Sequence, residues 1–189
     1  MATEFELLSQ SAEVVAPRLL GCELIRELDG HLLRGRIVET EAYDQHDAAS
    51  HSYRGRTPRT DVMFGSAGHL YVYFTYGMHY CCNVVTGEVG HGSAVLIRAL
   101  EPLEGQPTMA EHRSRAGLEL TNGPAKLCQA LVIDKQLNGH DLQQSPLRLI
   151  LKSVIDQTDI VQTTRIGISE AKDIPWRFYI KNNKFVSKL

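Results

Sequence analysis

The chain has 189 residues and a mass of 21.1 kDa, which suits one domain and allows a core that needs neither disulfides nor metal for its stability. Hydrophobic residues make up 43% and charged residues 22% of the sequence, and this composition excludes collagen-like, coiled-coil and disordered classes. Because 22 acidic side chains outnumber 20 basic ones, for a net charge of −2, the overall charge argues against a protein that coats polyanions.

Neither the apolar runs nor the first residues of the chain carry a targeting signal. No run reaches the roughly 18 apolar residues of a membrane span, and residues 1–8 lack the basic start and apolar stretch of a signal peptide. The four cysteines, at positions 22, 81, 82 and 128, form no CxxC pair, which indicates reduced thiols. We therefore expect a cytoplasmic protein with no membrane partner.

Helix and strand signals follow one another along the chain. In order, we predict a helix over residues 11–20, strands over residues 35–43, 70–75, 78–85 and 94–100, a loop or mobile helix over residues 106–120, a helix over residues 122–133, and strands over residues 147–151 and 177–180. Gly21 ends the first helix, and Asn122 is the candidate cap of the second. Since turns join neighbouring strands, we predict a single α+β domain over residues 1–189, with a largely antiparallel sheet and helices packed outside it.

The strand over residues 35–43 carries two acids on one face. Period-two geometry puts Glu39, Glu41 and Tyr43 on the same side. A buried, ionised carboxylate is costly without a partner, so at least one of the two glutamates must be paired or lie in a hydrated pocket. The alternative interpretation is a strand face exposed to solvent.

The apolar strand over residues 94–100 contains a single cation, Arg98. A buried guanidinium requires an acid, and Glu39, Glu41 and Glu101 are the candidates. Such a pair fits either a structural ion pair or an active site that handles anions.

Residues 70–80 predict a hairpin in which Gly77 supplies the backbone freedom of the turn. Tyr76 then lies at the tip, where it either packs on the turn or inserts between base steps of a duplex. A two-residue loop of Tyr76 and Gly77 predicts that Asn83 faces Leu70 while Tyr73 points to the opposite side; a shared pocket requires an odd loop or a bulge. Asn83 lies among apolar neighbours, so it needs a specific hydrogen bond, which the backbone could supply.

The loop over residues 44–51 holds two aspartates and two histidines, His46 and His51. They lack a recognised metal-ligand spacing, so a metal site is the lesser interpretation. Arg54, Arg56 and Arg59 follow directly, and this basic loop either binds phosphates or is solvated.

Several motifs together resemble the alkyladenine (3-methyladenine) DNA glycosylase family, and the resemblance covers nearly the whole chain. It implies an α+β fold with a curved sheet and a protruding β-hairpin. It also implies a monofunctional enzyme that flips damaged purines (3-methyladenine, 7-methylguanine, hypoxanthine and ethenoadenine) out of double-stranded DNA and hydrolyses the N-glycosidic bond with water. No cofactor or metal is implied, and we expect a monomer, associated with the nucleoid in a bacterium. The motifs are residues 35–43 (GRIVETEAY), 70–73 (LYVY), 76–78 (YGM) with Asn83, 98–105 (RALEPLEG), 123–131 (GPAKLCQAL), 165–168 (RIGI) and 177–179 (RFY).

The resemblance assigns a role to each candidate residue. Glu41 would be the general base that activates the water, and Arg98 with the backbone around Ile166 would help to hold that water. The flipped base would be sandwiched by aromatic rings, guanine would be rejected by a clash with Asn83, and Tyr76 would fill the gap in the stack. The rings are those of Tyr43, His51 and Tyr73, with His46 as the alternative to His51, and Arg54, Arg56 and Arg59 would contact the DNA backbone.

Two other functions remain open from the sequence. One is a catalytically silent nucleic-acid-binding module that uses the same hairpin and basic loop. The intact Glu41 disfavours it, because an anion in the pocket adds nothing to the binding of a phosphate backbone. The other is a metal hydrolase built on the histidines and aspartates of the loop over residues 44–51.

The local charge predicts how binding to undamaged DNA depends on salt. Residues 165–189 hold six basic and two acidic side chains, a net charge of +4, and with the basic loop they could supply a positive face. We expect weak binding to an undamaged duplex, with an affinity that falls linearly on a log–log plot against salt. Fluorescence anisotropy over a salt series measures the slope, and a flat plot would contradict the prediction.

Overall fold

The structure, a computed structural model, describes residues 4–75, 77–152 and 155–188. In this part of the chain, eight strands form one antiparallel sheet that curls toward a half-barrel, and three α-helices pack around it. The strands are β1 (Glu23–Leu28), β2 (His31–Asp44), β3 (Leu70–Thr75), β4 (His79–Val85), β5 (Ser93–Glu104), β6 (Leu147–Ile150), β7 (Ile160–Thr163) and β8 (Arg177–Ile180), and the helices are α1 (Ala12–Arg18), α2 (Gln106–Arg113) and α3 (Pro124–Ala130).

The long strand β2 organises the sheet. The strand order is β3-β4-β5-β2-β1-β6, and β8, which also pairs with β7, adds a second neighbour to β2. One edge of β2 pairs with β5, while the other pairs with β1 through residues 31–36 and with β8 through residues 39–41. The backbone of β2 at Glu39, Thr40 and Glu41 therefore has strands on both sides, and these three residues are fully buried.

The two faces of the sheet differ in how much hydrophobic packing they carry. The helices α1 and α3 cover one face and enclose the main hydrophobic core. In α1 the buried residues Ala12, Val15 and Ala16 recur at the spacing of one helix face. The other face carries a small cluster that includes Met63 and Phe64, and the rest of that face is free to form a site.

The α+β prediction is confirmed, and the six predicted strands are present with small shifts at their ends. The sequence analysis missed β1 and β7. Charged residues in β1 hide its strand pattern, yet Glu23 pairs with Arg34 at 2.6 Å and Arg26 donates to the carbonyl of Leu131 at 3.2 Å. Glu23 and Arg26 are therefore both buried with partners.

Both predicted helices are shorter in the structure. The first ends at Arg18. The second is α3, whose N-cap residue is Gly123, so the prediction that Asn122 caps it is wrong. The side chain of Asn122 instead accepts a hydrogen bond from Lys126 at 2.9 Å. Residues 106–120 contain α2 and a short 3-10 helix, Gly117–Leu120. No helix among the described residues is long and apolar enough to reach across a bilayer.

The predicted register of the hairpin is wrong. Thr75 pairs with His79, so three residues connect β3 and β4, and Asn83 lies opposite Tyr71 instead of Leu70. Because the side-chain period of a strand is two, this odd loop moves Asn83 to the same face as Tyr73. Gly77 takes a positive φ of 68° in the turn, as predicted. Tyr76 lies outside the described residues.

Three register shifts interrupt the ladder between β2 and β5, and two of them lie on either side of Glu39. Ile37 pairs with Leu100 and Thr40 with Ile97, but between them Glu39 pairs with Ala99. Arg98 therefore has no partner directly opposite in β2. A bulge of this kind redirects a side chain, and here it places Arg98 between the two buried glutamates of β2.

Because the sheet packs closely against the helices, removing a core side chain is expected to lower the free energy of unfolding. Leu100 is fully buried in the main core, so Leu100→Ala removes both its burial and its packing contacts. We expect a loss of about 2 to 5 kcal/mol in the free energy of unfolding, measured by urea denaturation. The control Leu118→Ala changes a 44% exposed leucine and should cost less than about 0.5 kcal/mol. Similar losses in the two variants would contradict this placement of the core.

Candidate active site

A cavity of about 490 Å³ opens on the face of the sheet that carries Tyr71 and Asn83, and Pro124, the first residue of α3, also lines it. Its walls come from β2, β3, β4 and β5, and from loops over residues 48–51 and 166–169. Among the lining residues are Tyr43, His51, Tyr73, Cys81, Asn83 and Arg98. The volume lies in the range of sites that enclose a small ligand.

Strand register explains why these side chains converge. Tyr71 lies opposite Asn83, Asn83 opposite Leu96, and Leu96 opposite Glu41. Residues directly opposite each other in antiparallel strands point to the same face of the sheet. One row across four strands thus brings Glu41 and Asn83 to the same concave face, and Tyr43 follows two residues after Glu41.

Glu41 is fully buried, and its carboxylate lies against three donor groups. Its Oε1 accepts from the backbone N–H of Ile166 at 2.8 Å and lies 3.2 Å from Nη1 of Arg98. Its Oε2 accepts from the hydroxyl of Tyr43 at 2.8 Å. These contacts rule out the alternative of a solvent-exposed strand face and confirm that the carboxylate is paired.

Arg98 joins the two buried glutamates. Its Nε donates to Oε1 of Glu39 at 3.0 Å while Nη1 reaches Glu41. Burial alone would lower the pKa of Arg98, but the negative charges of Glu41 and Glu39 outweigh it and raise that pKa above the ordinary value. The third predicted candidate, Glu101, instead lies 3.4 Å from Arg36.

Aromatic rings form the sides of the cavity. The rings of His51 and Tyr73 meet edge to face with centroids 4.6 Å apart, and Tyr71 stacks beside Tyr73 at 5.7 Å. Nδ1 of His51 shares a 3.1 Å hydrogen bond with the hydroxyl of Tyr71. Burial raises the pKa of both Tyr43 and Tyr73, so both phenols are neutral. The sequence analysis gave Tyr71 no role in the pocket.

Behind Tyr43 lies a cation that the sequence analysis also missed. The guanidinium of Arg165 is 4.8 Å from the ring of Tyr43 and 5.4 Å from that of Trp176. It forms a buried ion pair with Asp47 and donates to the carbonyl of Ala42 at 3.0 Å. These contacts fix the ring that forms one wall of the cavity.

The loop over residues 44–51 is tied down by its own carboxylates. Asp47 pairs with Arg165, and Asp44 lies 2.5 Å from Nε2 of His91. The ring of His46 lies tilted against that of His91, with centroids 5.7 Å apart, and only His51 of the two candidate histidines lines the cavity. Within the described residues, no group of three His, Cys, Asp or Glu could hold a metal ion.

The thiol of Cys81 and the amide of Asn83 complete the floor. Burial raises the pKa of Cys81 to about 11, so the thiol stays protonated at neutral pH and is a poor nucleophile. Nδ2 of Asn83 donates to the carbonyl of Tyr71 at 3.1 Å. Asn83 therefore both bridges to the backbone and presents a fixed amide to the cavity.

The three arginines of the basic loop differ in their surroundings. Arg54, Arg56 and Arg59 are all exposed. Arg56 pairs with the exposed Asp61 at 2.6 Å, which reduces its local charge. The guanidinium of Arg59 lies 6.0 Å from the centroid of the Tyr73 ring, at the rim of the cavity.

An aromatic cavity whose lining residues Tyr43 and Arg98 contact a buried carboxylate directly behind them is the kind of site that a base-excising hydrolase requires. Comparison with known proteins agrees: the profile of the methylpurine-DNA glycosylase family matches residues 6–184. The chain belongs to this family of DNA glycosylases, which are hydrolases of N-glycosyl bonds.

Three bacterial relatives illustrate how far the similarity extends. The chain is 59% identical to a protein of Carboxydothermus hydrogenoformans over 177 residues, 93% of each chain. It is 54% identical to one of Francisella tularensis over 177 residues, 92% of each chain, and 49% identical to one of Desulfitobacterium hafniense over 196 residues, 96% of each chain. The name of each relative gives 3-methyladenine DNA glycosylase as an inferred activity.

His51 makes the stability of the protein depend on pH. Loss of hydration around the ring, with the positive charge of Arg59, lowers its pKa from 6.5 to about 4. The unfolded chain therefore binds more protons between these values, and the free energy of unfolding falls as the pH is lowered through this range. We expect wild type to lose more stability than His51→Gln between neutral pH and about pH 5, as measured by urea unfolding. Equal losses would show that His51 does not carry the effect.

Proposed function

We propose that this chain removes damaged purines from duplex DNA by flipping the nucleotide into the aromatic cavity and hydrolysing the N-glycosidic bond with water. The observation that carries the proposal is the buried Glu41 carboxylate, held by Arg98 and the Ile166 backbone beside a cavity with aromatic sides. A purine inside the stack cannot bring its glycosidic bond to such a carboxylate, so flipping is required.

Glu41 is the proposed general base. It accepts a proton from a water whose oxygen bonds to C1′ of the sugar, while the bond between C1′ and the base nitrogen breaks and its electron pair leaves with the base. The carboxylate also stabilises the positive charge that develops on the sugar. Arg98 and the backbone around Ile166 hold Glu41 in place and, in this proposal, orient the water.

The cavity walls support breadth among purine lesions. Tyr43, His51 and Tyr73 offer ring faces or edges that accept any purine by stacking, and a cationic alkylated base gains further attraction from the rings. The neutral His51 adds no opposing charge at neutral pH. We propose 3-methyladenine, 7-methylguanine, hypoxanthine and ethenoadenine as substrates. Of these, only 7-methylguanine carries the exocyclic amino group of guanine, and its cationic ring makes it a good leaving group that departs as a neutral base.

Asn83 is the proposed selectivity residue. Its hydrogen bond to Tyr71 fixes the orientation of the amide, and a fixed polar group on the floor of the cavity rejects the exocyclic amino group of normal guanine by steric clash. A fixed contact of this kind discriminates better than a mobile one, because the clash cannot relax at low cost.

A monofunctional reaction fits the residues that line the cavity. A glycosylase that also cuts the strand forms a Schiff base through an amine, and no lysine is among the described lining residues. The proposed product is therefore an intact strand with an abasic site.

The residues that contact the rest of the duplex are proposed from their positions along the chain. Tyr76, at the turn between β3 and β4, is proposed to fill the gap left by the flipped nucleotide. Arg54, Arg56 and Arg59 are proposed to contact the DNA backbone. We propose that the enzyme acts as a monomer on cytoplasmic, nucleoid-associated DNA.

Single-turnover base release tests the chemistry. With a duplex that carries one hypoxanthine, followed by cleavage at abasic sites, we expect wild type to release the base. We expect Glu41→Gln to bind the duplex but react about 100- to 10,000-fold more slowly, because the amide cannot accept the proton. The control Glu111→Gln changes an exposed carboxylate on α2 and should react at the wild-type rate.

Two results would overturn the proposal. If wild type binds DNA but releases neither hypoxanthine nor a methylated purine, the chain is a nucleic-acid-binding module. If Glu41→Gln reacts as fast as wild type, another group activates the water.

A further inference from the structure

A second buried carboxylate, Glu39, lies behind the proposed catalytic pair. It is fully buried, as Glu41 is, and neither carboxylate is among the residues that line the cavity, whereas Arg98, which contacts both, does line it. Its Oε1 accepts from Nε of Arg98 at 3.0 Å and from Nε of Arg177 at 2.7 Å. Glu41 contacts three residues that line the cavity, Tyr43, Arg98 and Ile166. Of the partners Arg98, Arg177 and Ser187 of Glu39, only Arg98 lines the cavity, so the link from Glu39 to the cavity passes through Arg98.

A residue far along the chain completes this arrangement. The backbone N–H of Ser187 donates to Oε2 of Glu39 at 2.7 Å, and the Ser187 hydroxyl donates to Oε1 at 2.9 Å. The same hydroxyl accepts from Nη2 of Arg98 at 3.3 Å. A hydroxyl has one proton and two lone pairs, so Ser187 can bridge the carboxylate and the guanidinium at once.

Arg98 is thus held from behind at two points. Nε binds Glu39 and Nη2 binds Ser187, while Nη1 lies 3.2 Å from Glu41. A guanidinium is planar and rigid, so fixing two of its nitrogens fixes the position of the third. Because Arg98 lies at a bulge, the regular ladder of the sheet does not set its direction.

Stabilisation of the fold does not by itself explain why a charged cluster is buried around Glu39. A buried ion pair contributes no more to folding than a well-packed apolar replacement, since both charges lose their hydration. Glu39 occupies a position between core residues of β2 where such a replacement would fit the pattern of the strand. An apolar residue at position 39 could not hold the guanidinium of Arg98 in a fixed orientation, and this is what Glu39 supplies.

We propose that Glu39 and Ser187 are positioning residues that hold Arg98 in the orientation that keeps Glu41 ready for catalysis. The proposal rests on the proposed function, in which Glu41 activates the water. Removing either contact leaves DNA binding intact and slows the chemical step.

The first test separates chemistry from binding. In Glu39→Gln the carboxylate charge between Arg98 and Arg177 is lost, so the two guanidinium groups repel each other and Arg98 shifts. We expect single-turnover release of hypoxanthine to slow about 10- to 100-fold, while the Kd for the lesion duplex stays within about twofold of wild type. The control Leu149→Ala alters a buried leucine of β6, at the far edge of the sheet, and should keep the wild-type rate.

A double-mutant cycle shows whether Glu39 acts through Arg98. In an Arg98→Met background, Glu39→Gln should slow the reaction by no more than about twofold, because the group it positions is already gone. The same large loss in both backgrounds would overturn the proposal, since Glu39 would then act through the fold in general.

Ser187 provides a milder variant that does not depend on replacing a buried charge. Ser187→Ala keeps the backbone N–H on Glu39 but removes the hydroxyl, and we expect release to slow about three- to tenfold. Ser187→Thr keeps the hydroxyl and should restore most of the rate. Wild-type rates in both Glu39→Gln and Ser187→Ala would overturn this inference while leaving the proposed function intact. Failure of wild type itself to release a base would overturn the proposed function.

Discussion

The guanidinium of Arg98 between Glu39 and Glu41 is the interaction on which the rest of the site depends. Two carboxylates on one face of a strand with neighbours on both edges cannot be buried together without a cation between them. Arg177 of β8 reaches Glu39, but the cation that contacts both acids is Arg98 of the adjacent strand β5, where a bulge interrupts the regular ladder. The position of Glu41 against Arg98 and Tyr43, which line the cavity, thus follows from charge pairing as much as from strand geometry.

One face of the sheet packs the hydrophobic core, and the other face carries the cavity of the candidate active site. Beneath it, apolar side chains pack on α1 and α3 and supply most of the hydrophobic stabilisation. Above it, aromatic and polar side chains line the cavity together with apolar ones such as Met63 and Leu96, and the buried charges of Glu41, Arg98, Asp47 and Arg165 are paired. Support for the site comes from behind, where Arg165 backs Tyr43 and Glu39 backs Arg98. A rigid second layer of this kind keeps a site ready for its substrate.

Local pattern was sufficient to predict the α+β class, the shared face of Glu41 and Tyr43, and the need of Arg98 for an acid. Period-two alternation and the cost of burying charge are properties of single segments, which a sequence displays directly. The position of Asn83 was mispredicted because register depends on one residue of loop length between β3 and β4. The roles of Asp47, Arg165 and Ser187 were missed because their partners lie over a hundred residues away, as the 118-residue separation of Asp47 and Arg165 illustrates.

The order of these partners along the chain has a consequence for synthesis. Glu39 and Glu41 emerge early, whereas Ile166, Arg177 and Ser187, which bind them, emerge in the last quarter of the sequence. Until those residues are made, the two carboxylates lack several of their donors, and closing β2 into the interior would bury poorly compensated charge. The nascent chain can therefore bury this strand with its full set of donors only after residue 187 has been made.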